Sequence, residues 1–277
     1  MEQKQLLIFP YLDDPLSSQL GKAVYDIFCG MLRWRIWLLL GWQDVCLRYR
    51  RSRLGPFWIT LSMAIMVYSM GLMYSMLFKM DLSLYYPYIA SGILIWTLIS
   101  TLILDMVNAL TESRHFILQM RLPYSVYFLR IIARNYIILA HNFFAVVPIL
   151  IYYRLSIQIF SFCFGLLLLG MISFFVGGIL AILGSRFRDI KQIVASVLQL
   201  IFLVTPIMWM PNMLPARYAF FIKFNPLYHL IDIVRSPLIG QGPSLYALKI
   251  VCGLIGISCI CMIYLFYRSR SRIPFWV

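Results

Sequence analysis

The ionisable side chains that could do chemistry in this sequence are few, and they stand in apolar surroundings. Only 10 of its 277 residues are Asp or Glu, and Asp105 and Asp232 are the carboxylates within or near apolar stretches. Asp105 lies about one turn from the end of one apolar run, and Arg130 and Arg134 lie one to two turns inside the next. Antiparallel helices would place these groups at similar depth, where an isolated charge is costly. We therefore predict a structural ion pair that joins Asp105 to Arg130 and Arg134.

The residue patterns that usually carry catalysis or cofactor binding do not occur in the sequence. It contains no Walker phosphate loop, no Ser-His-Asp set, no paired carboxylates and no spacing typical of metal ligands. We therefore expect no catalytic, cofactor-binding or metal-binding residues, and no enzymatic activity of the chain itself. The scarcity of ionisable residues also argues against a proton- or sodium-driven transporter, which usually needs them near the membrane midplane. If the chain moves a cargo uphill, the energy is expected from another subunit.

The composition places these residues in a membrane protein. The chain is 62% hydrophobic and 12% charged, with a mean hydropathy of +0.85, whereas soluble domains are about 45–50% apolar and about 25% charged. Uncharged apolar runs of about 20 residues cross a bilayer as helices. We predict an all-α membrane protein, a single transmembrane domain over residues 20–277. Its six predicted spans are residues 56–78, 88–108, 126–152, 160–183, 193–210 and 245–267.

The basic residues predict how the spans are oriented. The net charge is +14, and more Lys and Arg lie on the side of the spans that carries both termini than on the opposite side. By the positive-inside rule, both termini are then cytoplasmic. The basic residues stand at the ends of apolar runs and form no separate soluble patch. We therefore expect contact with membrane lipids and no nucleic-acid partner.

Three segments are expected to lie outside the spans. Residues 1–19 are expected to be a cytoplasmic N-terminal segment. Residues 20–42 carry apolar side chains at helical spacing and are predicted to form an amphipathic interface helix, since two arginines near the middle argue against the alternative, a seventh span. Residues 211–240 are rich in proline yet apolar, so we predict short re-entrant helices between spans 5 and 6 that form an external gate.

The connection between spans 2 and 3 carries a further predicted helix, at residues 111–121. Thr111 could cap its first turn, and Pro123 would end the segment. We predict that this helix docks the partner that supplies energy, although such a helix could instead rest on the membrane surface. The docking residues are predicted to be Glu112, Arg114, His115 and Phe116.

Four stretches of the sequence resemble the motifs of one transporter family. They are, in order, RYRRSRLGPFW at residues 48–58, RLP at 121–123 with Arg130 and Arg134 after it, TPIMW at 205–209, and NPLYH at 225–229 followed by RSPL at 235–238. In this order on a six-span chain, they resemble the permease subunits of bacterial type-2 ABC exporters for polysaccharides, in the O-antigen and capsule export branch. The similarity runs from about Asp44 to Gly240.

The resemblance implies a partner set and a cargo. The permease would form a homodimer with two ATP-binding cassette subunits, and ATP and Mg would bind to those partners and not to this chain. The cargo would be a lipid-linked polysaccharide, moved outward across a bacterial inner membrane. The alternatives are a capsule or teichoic-acid polymer, or a drug or small lipid handled by an exporter of the same class. A membrane glycosyltransferase would need acidic catalytic residues at a membrane face, and the sequence offers none.

The resemblance also suggests roles for arginines and aromatic residues. Arg48, Arg50, Arg51 and Arg53 could hold the diphosphate of a lipid carrier near the entrance, or they could simply orient span 1. Tyr68, Tyr74 and Trp96 lie within spans and could contact sugars in the channel, or they could serve helix packing. For the tyrosines at span ends, placement at the membrane interface is favoured; these are Tyr85, Tyr86, Tyr88, Tyr152 and Tyr153.

Overall fold

The chain folds into α-helices joined by short connections. The computed structural model describes residues 19–50, 52–120, 122–215, 217 and 219–277. Parts of the predicted N-terminal segment, arginine cluster, 111–121 helix and gate therefore lie outside the described residues, namely residues 1–18, Arg51, Arg121, Ala216 and Tyr218. The helices within the described ranges are α1 Gln19–Leu32, α2 Trp34–Tyr49, α3 Phe57–Phe78, α4 Leu82–Glu112, α5 Arg114–Gln119, α6 Tyr124–Tyr152, α7 Ile159–Arg186, α8 Ile190–Val204, α9 Ala219–Lys223, α10 Pro226–Leu238, α11 Leu245–Ser269 and α12 Ile273–Trp276.

The long apolar helices make this an all-α, multi-pass membrane protein. In the described part of the chain, α3, α4, α6, α7 and α11 are long and apolar enough to cross a membrane. Helix α8 has 15 residues, which cover about 22 Å at 1.5 Å per residue, less than the roughly 30 Å of a bilayer core. Among its described residues, the structure therefore has five helices that are long enough to span a membrane and one shorter apolar helix, where the sequence predicts six spans.

Helix α8 is short because the chain leaves the helix at a proline. The helix ends at Val204, and Thr205 has an extended backbone with ψ of 133°. The residue before a proline is disfavoured in the α-helical region, and Pro206 has no N–H to continue the ladder. The apolar segment Pro206–Met210, which the sequence assigns to the fifth span, is therefore not helical.

Helix α4 begins before its predicted start at residue 88. The exposed Asp81 carboxylate accepts the backbone N–H of Ser83 at 3.0 Å, which caps the helix and holds the pKa of Asp81 below its usual range. From this cap α4 runs to Glu112 and occupies the centre of the bundle, where it packs against α6 and α7. Its buried side chains include Ile89 and Ile93.

The predicted interface helix at residues 20–42 is divided in two. Arg33 lies between α1 and α2, and α2 continues to Tyr49. With 14 and 16 residues, neither helix is long enough to cross a bilayer. Large apolar side chains such as Phe28 and Trp42 are exposed on these helices. Their exposure suits a helix pair that lies on the membrane surface.

Helix α1 is fastened to the start of α6 by a buried carboxylate. Asp26 accepts the backbone N–H groups of Tyr124 and Ser125 at 3.2 and 3.1 Å. These N–H groups have no partner within α6 because they belong to its first turn. Asp26 also lies 3.5 Å from Arg270, near the other end of the chain. One carboxylate therefore connects three separate segments.

The proline-rich connection after α8 folds back into the bundle. We call the end of the bundle that carries Asp81 the Asp81 end, and the opposite end the Arg130 end. Pro226 and Leu230 of α10 line one apolar cavity together with Ile172, near the midpoint of α7. Helix α10 therefore begins deep in the bundle and returns toward the Asp81 end, as expected for a re-entrant helix. Asn225 caps it by accepting the backbone N–H of Leu227 at 3.0 Å.

Glycines on α7 allow the neighbouring helices to approach closely. A Cβ atom at Gly165 would lie 2.5 Å from the carbonyl oxygen of Ile233 on α10. A Cβ atom at Gly177 would lie 2.6 Å from the Met106 side chain on α4. Such small residues are how apolar helices pack tightly in membranes, where helices gain little from hydrophobic burial alone.

Candidate functional site

A buried ion-pair network at the Arg130 end connects three helices. The Arg130 side chain on α6 binds the Asp44 carboxylate on α2 through two bonds, with Nε at 2.8 Å and Nη2 at 2.5 Å. This paired arrangement is the strong form of a guanidinium–carboxylate contact. Asp44 is 86 residues away in sequence. The contact arises because α2 packs along α6.

Arg134 occupies the middle of this network. Its Nη2 lies 2.8 Å from Asp105, and its Nη1 lies 3.6 Å from Asp44 and 3.8 Å from Glu112. Asp105 also accepts a hydrogen bond from Asn135 at 2.8 Å. The sequence predicts that Asp105 pairs with both Arg130 and Arg134. In the structure, Asp105 pairs with Arg134, whereas Arg130 pairs with Asp44. The reason is that α2 supplies a second carboxylate from outside the apolar runs.

The helix between α4 and α6 is shorter than the predicted residues 111–121. Helix α4 continues through Thr111 and Glu112, so Thr111 caps nothing and its hydroxyl donates to the Asn108 carbonyl at 2.9 Å. Helix α5 then covers only Arg114–Gln119. The short α5 follows directly from α4 after the single residue Ser113.

The four predicted docking residues differ in how far they are exposed. Arg114 and His115 are exposed, and the Glu112 side chain is half exposed beside Arg134. Phe116 is half-buried, and the guanidinium of Arg130 lies 5.4 Å from the centre of its ring. Phe116 therefore connects α5 to the ion-pair network, while Arg114 and His115 remain available to a partner.

The arginine cluster lies on the connection between α2 and α3. Arg48, Arg50 and Arg53 are all exposed. Arg48 stands in the last turn of α2, where a positive charge interacts favourably with the helix dipole. The cluster therefore presents several guanidinium groups to whatever lies beside the start of α3.

The three predicted channel residues are not brought together. Tyr68 is half-buried on α3 beside Tyr86, with 6.1 Å between ring centres. Tyr74 packs against Phe78 of its own helix at 5.8 Å. Trp96 is buried on α4 and lies beside α8. Its ring centre is 5.4 Å from that of Phe202.

Three of the tyrosines expected at the membrane interface are instead buried. Tyr85, Tyr86 and Tyr88 are each at most 8% exposed, whereas Tyr152 is 79% exposed. The interpretation of interface placement is therefore wrong for the first three. A buried tyrosine hydroxyl needs a hydrogen-bond partner. Tyr86 donates to the Tyr68 carbonyl on α3 at 3.2 Å, whereas the segment after α8 supplies the partners of Tyr85 and Tyr88 because its carbonyls have left the helix.

The released carbonyls are held by donors from two helices. The Tyr85 hydroxyl donates to the Met208 carbonyl, and the Tyr88 hydroxyl donates to the Pro206 carbonyl at 2.9 Å. Arg235 of α10 donates to the same Pro206 carbonyl at 3.0 Å, and its guanidinium lies 4.1 Å from the centre of the Tyr88 ring. These hydrogen bonds therefore connect the end of α8 to the start of α4 and to the re-entrant helix α10.

A known protein family matches most of this chain. The family described as ABC-2 type transporter matches residues 35–239, about three quarters of the chain. The chain belongs to the ABC-2 type transporter family. It is also 21% identical, over 236 residues, to the O-antigen export system permease protein RfbA of Klebsiella pneumoniae; the match covers 78% of this chain and 87% of that relative.

The ABC-2 family match covers both clusters described above. It confirms the resemblance to type-2 ABC permeases, and this chain is a transmembrane permease subunit. Asp44 of the ion-pair network falls inside the matched range, and so does Tyr88, whose hydroxyl donates to the Pro206 carbonyl at the Asp81 end. The pairing of Asp44 could not be predicted from the sequence, because no local spacing links it to an arginine 86 residues along the chain. Among the described residues of this ABC-2 permease, no group of His, Cys, Asp or Glu is arranged to hold a metal ion.

Proposed function

We propose that this ABC-2 permease is the membrane subunit of an ATP-driven exporter that moves a lipid-linked, O-antigen-like polysaccharide out of the cytoplasm. The observation that carries the proposal is the extent of the similarity to an O-antigen export permease, which covers most of both chains. The membrane is a bacterial inner membrane, and both termini are cytoplasmic, because the basic residues favour that orientation. The Asp81 end then faces outward and the Arg130 end faces the cytoplasm.

The proposed assembly contains two copies of this permease and two ATP-binding cassette subunits. ATP and Mg²⁺ bind to those partners, which supply the energy. The cytoplasmic docking surface consists of α5 and the paired helices α1 and α2. Exposed Arg114 and His115 support this assignment, because polar side chains exposed on a short helix can form hydrogen bonds to a partner, and the charge of Arg114 can steer it.

The ion-pair network offers a route from the docking surface to the spanning helices. Phe116 of α5 lies against Arg130, and Arg130 binds Asp44 of α2. Arg134 then links the same network to Asp105 of α4. A displacement of α5 would therefore move α2, α4 and α6 together, because separating largely buried ion pairs has a large cost in free energy. Nucleotide-driven movement of the partner would be transmitted through these contacts.

The proposed cargo path runs beside α4 and α8. Trp96, Ser100 and Gln199 line an open groove between these two helices. Aromatic and polar side chains together suit a polysaccharide, whose rings have both apolar faces and hydroxyl groups. A second copy of the permease facing this groove would close it into a channel. Tyr68 and Tyr74 lie on α3, outside this groove, and would contact the cargo at a separate point. The exposed Arg48, Arg50 and Arg53, with Arg51, would hold the carrier diphosphate at the inner side.

Deletion and complementation test the proposed function in a strain that carries the gene. We expect loss of the surface polysaccharide on deletion, accumulation of its lipid-linked form inside the cell, and recovery with the wild-type gene. The co-purified ATP-binding subunit should hydrolyse ATP only in the presence of this permease. Loss of capsule or of teichoic acid would instead mean that this other polymer is the cargo. Unchanged polymers together with altered drug or lipid efflux would contradict export of a polysaccharide.

A further inference from the structure

A cavity of about 390 Å³, lined by both polar and apolar side chains, lies at the Asp81 end. It is formed by the start of α4, the segment after α8, and one face of α10 with the residues that follow this helix. Its volume falls in the range of about 300–1,000 Å³ that small-molecule sites usually have. The polar and aromatic side chains that line it include Tyr88, Asn212, Tyr228, Asp232, Arg235 and Gln241. None of these residues belongs to the ion-pair network, which is at the opposite end.

Arg235 is the fixed donor of this cavity. It is 2% exposed, and its guanidinium stands between two aromatic rings, 4.1 Å from Tyr88 and 5.9 Å from Tyr228. Its Nη1 donates to the Pro206 carbonyl at 3.0 Å. A guanidinium carries five N–H donors, more than one carbonyl oxygen can use. The stacking and this hydrogen bond orient the group before any ligand arrives, which lowers the entropic cost of binding.

Asp232 supplies the acceptor, one turn of α10 away from Arg235. Its Oδ1 accepts the Ser236 hydroxyl at 2.9 Å, and a carboxylate has room for several more hydrogen bonds. The charges of Asp232 and Arg235 cancel, so the cavity favours a neutral ligand over an anion. Amide side chains at Asn212 and Gln241 add further donors and acceptors.

We propose that this cavity binds a neutral saccharide unit of the cargo on the outer side of the permease. Asp232 accepts sugar hydroxyl groups, Arg235 donates to ring or hydroxyl oxygens, and the half-buried Tyr228 ring covers an apolar face of the sugar. The proposal rests on the proposed function, which supplies the class of ligand. It adds a site on the re-entrant helix α10, outside the groove that contains Trp96. A sugar held there would oppose backsliding of the polymer between transport steps.

Binding to the full-length permease purified in detergent tests the proposal directly. The probes are neutral trisaccharides of glucose, galactose, mannose and rhamnose, observed by saturation-transfer NMR. We expect at least one probe to bind, with affinity about tenfold weaker or worse in Asp232→Asn, because a hydrogen bond to a charged group is lost. Tyr228→Leu should weaken binding similarly, whereas Tyr228→Phe, which keeps the ring, should bind as the wild type does.

Asp81→Asn is the matched control. It makes the same substitution at the same end of the bundle, outside the cavity lining, and asparagine caps a helix as well as aspartate does. We expect affinity within about twofold of wild type. Absence of binding by every probe, or equal affinities in Asp232→Asn, Tyr228→Leu and wild type, would overturn the proposal, as would binding of glycerol 3-phosphate alone. If surface polysaccharide depends on the permease while no trisaccharide binds, the site is wrong and the proposed function stands. If no polysaccharide depends on the permease, the proposed function fails independently.

Discussion

Tyr88 and Arg235, from two different helices, donate hydrogen bonds to one carbonyl oxygen, that of Pro206, at 2.9 and 3.0 Å. The carbonyl is available because α8 ends at Val204, two residues before the proline. The same two side chains also contact each other, with the guanidinium over the tyrosine ring. The re-entrant helix is therefore joined to α4 and to the end of α8 at a single point.

This shared acceptor predicts coupled effects of Tyr88→Phe and Arg235→Met on unfolding. After either single substitution, the Pro206 carbonyl keeps one donor, so Tyr88→Phe should cost about 1 kcal/mol of unfolding free energy. The double variant leaves the buried carbonyl without either donor and should lose roughly 0.5–3 kcal/mol more than the sum of the single losses. Unfolding by SDS in mixed micelles would measure these free energies.

Tyr136→Phe is the control for that coupling. The Tyr136 hydroxyl donates to the Leu166 carbonyl at 2.6 Å, and this hydrogen bond involves neither Arg235 nor Pro206. Its loss should therefore add to that of Arg235→Met within about 0.5 kcal/mol. Additive losses in both pairs would show that Tyr88 and Arg235 act independently.

Asp44→Asn should destabilise the permease far more than Glu112→Gln. The first substitution leaves the largely buried Arg130 without its carboxylate, and breaking a buried pair typically costs about 3–5 kcal/mol. Glu112 is half exposed and 3.8 Å from Arg134, so its neutralisation should cost less than about 1 kcal/mol. The same unfolding measurement compares them. Equal losses of unfolding free energy in the two variants would mean that the ion pair between Asp44 and Arg130 does not hold α2 against α6.

The long helices could be predicted from the sequence because an uncharged apolar run of sufficient length has few other folds in a membrane. The end of α8 could not be placed this way. The residues after Thr205 stay apolar, and hydropathy does not distinguish a helix from a broken segment whose carbonyls are bonded by Tyr85 and Tyr88. Proline at 206 was the one local signal of the break.

The candidate sites were less predictable than the helices. An ion pair between Asp105 and an arginine of α6 could be predicted from the sequence, because these residues lie at similar distances from the ends of two neighbouring antiparallel helices. The pairing of Arg130 with Asp44 depends on how α2 lies along α6, which no spacing within either segment encodes. Likewise, a tyrosine at a span end is usually at the interface, and the burial of Tyr88 follows only from the re-entry of α10.

Gly165→Ala should weaken the packing of the re-entrant helix α10 against α7. Its Cβ would lie 2.5 Å from the Ile233 carbonyl oxygen, and backbone cannot move aside as a flexible side chain can. We expect a loss of about 1–3 kcal/mol in unfolding free energy. Gly253→Ala on α11 is the matched control because no atom lies within 4 Å of its added Cβ. Alanine should there be neutral or stabilise the helix by up to about 1 kcal/mol; similar losses at both sites would argue against close packing of α7 on α10.

The double variant Arg50→Gln, Arg53→Gln should reduce polysaccharide export while the protein remains inserted. Both side chains are exposed, so their loss should leave folding nearly unchanged. If they hold the diphosphate of the lipid carrier, export should fall about tenfold, as expected when a charge-assisted hydrogen bond is removed. Surface polymer per inserted permease is the measurement, and Arg188→Gln, another exposed arginine, is the control. Unchanged export in the double variant would leave the cluster only the role of orienting α3.

Arg114→Glu should weaken the association of the permease with its ATP-binding subunit. Arg114 is exposed on α5. If α5 docks the partner as proposed, a reversed charge there would face the partner, and a like-charge contact across an interface costs several kcal/mol. The permease itself should stay folded, because an exposed substitution of this kind changes stability by about 0.5 kcal/mol or less. The amount of ATP-binding subunit that co-purifies measures the effect. Arg154→Glu is the same change at an exposed site of the Asp81 end, so it should leave co-purification intact; loss in both variants, or in neither, would remove α5 from the docking surface.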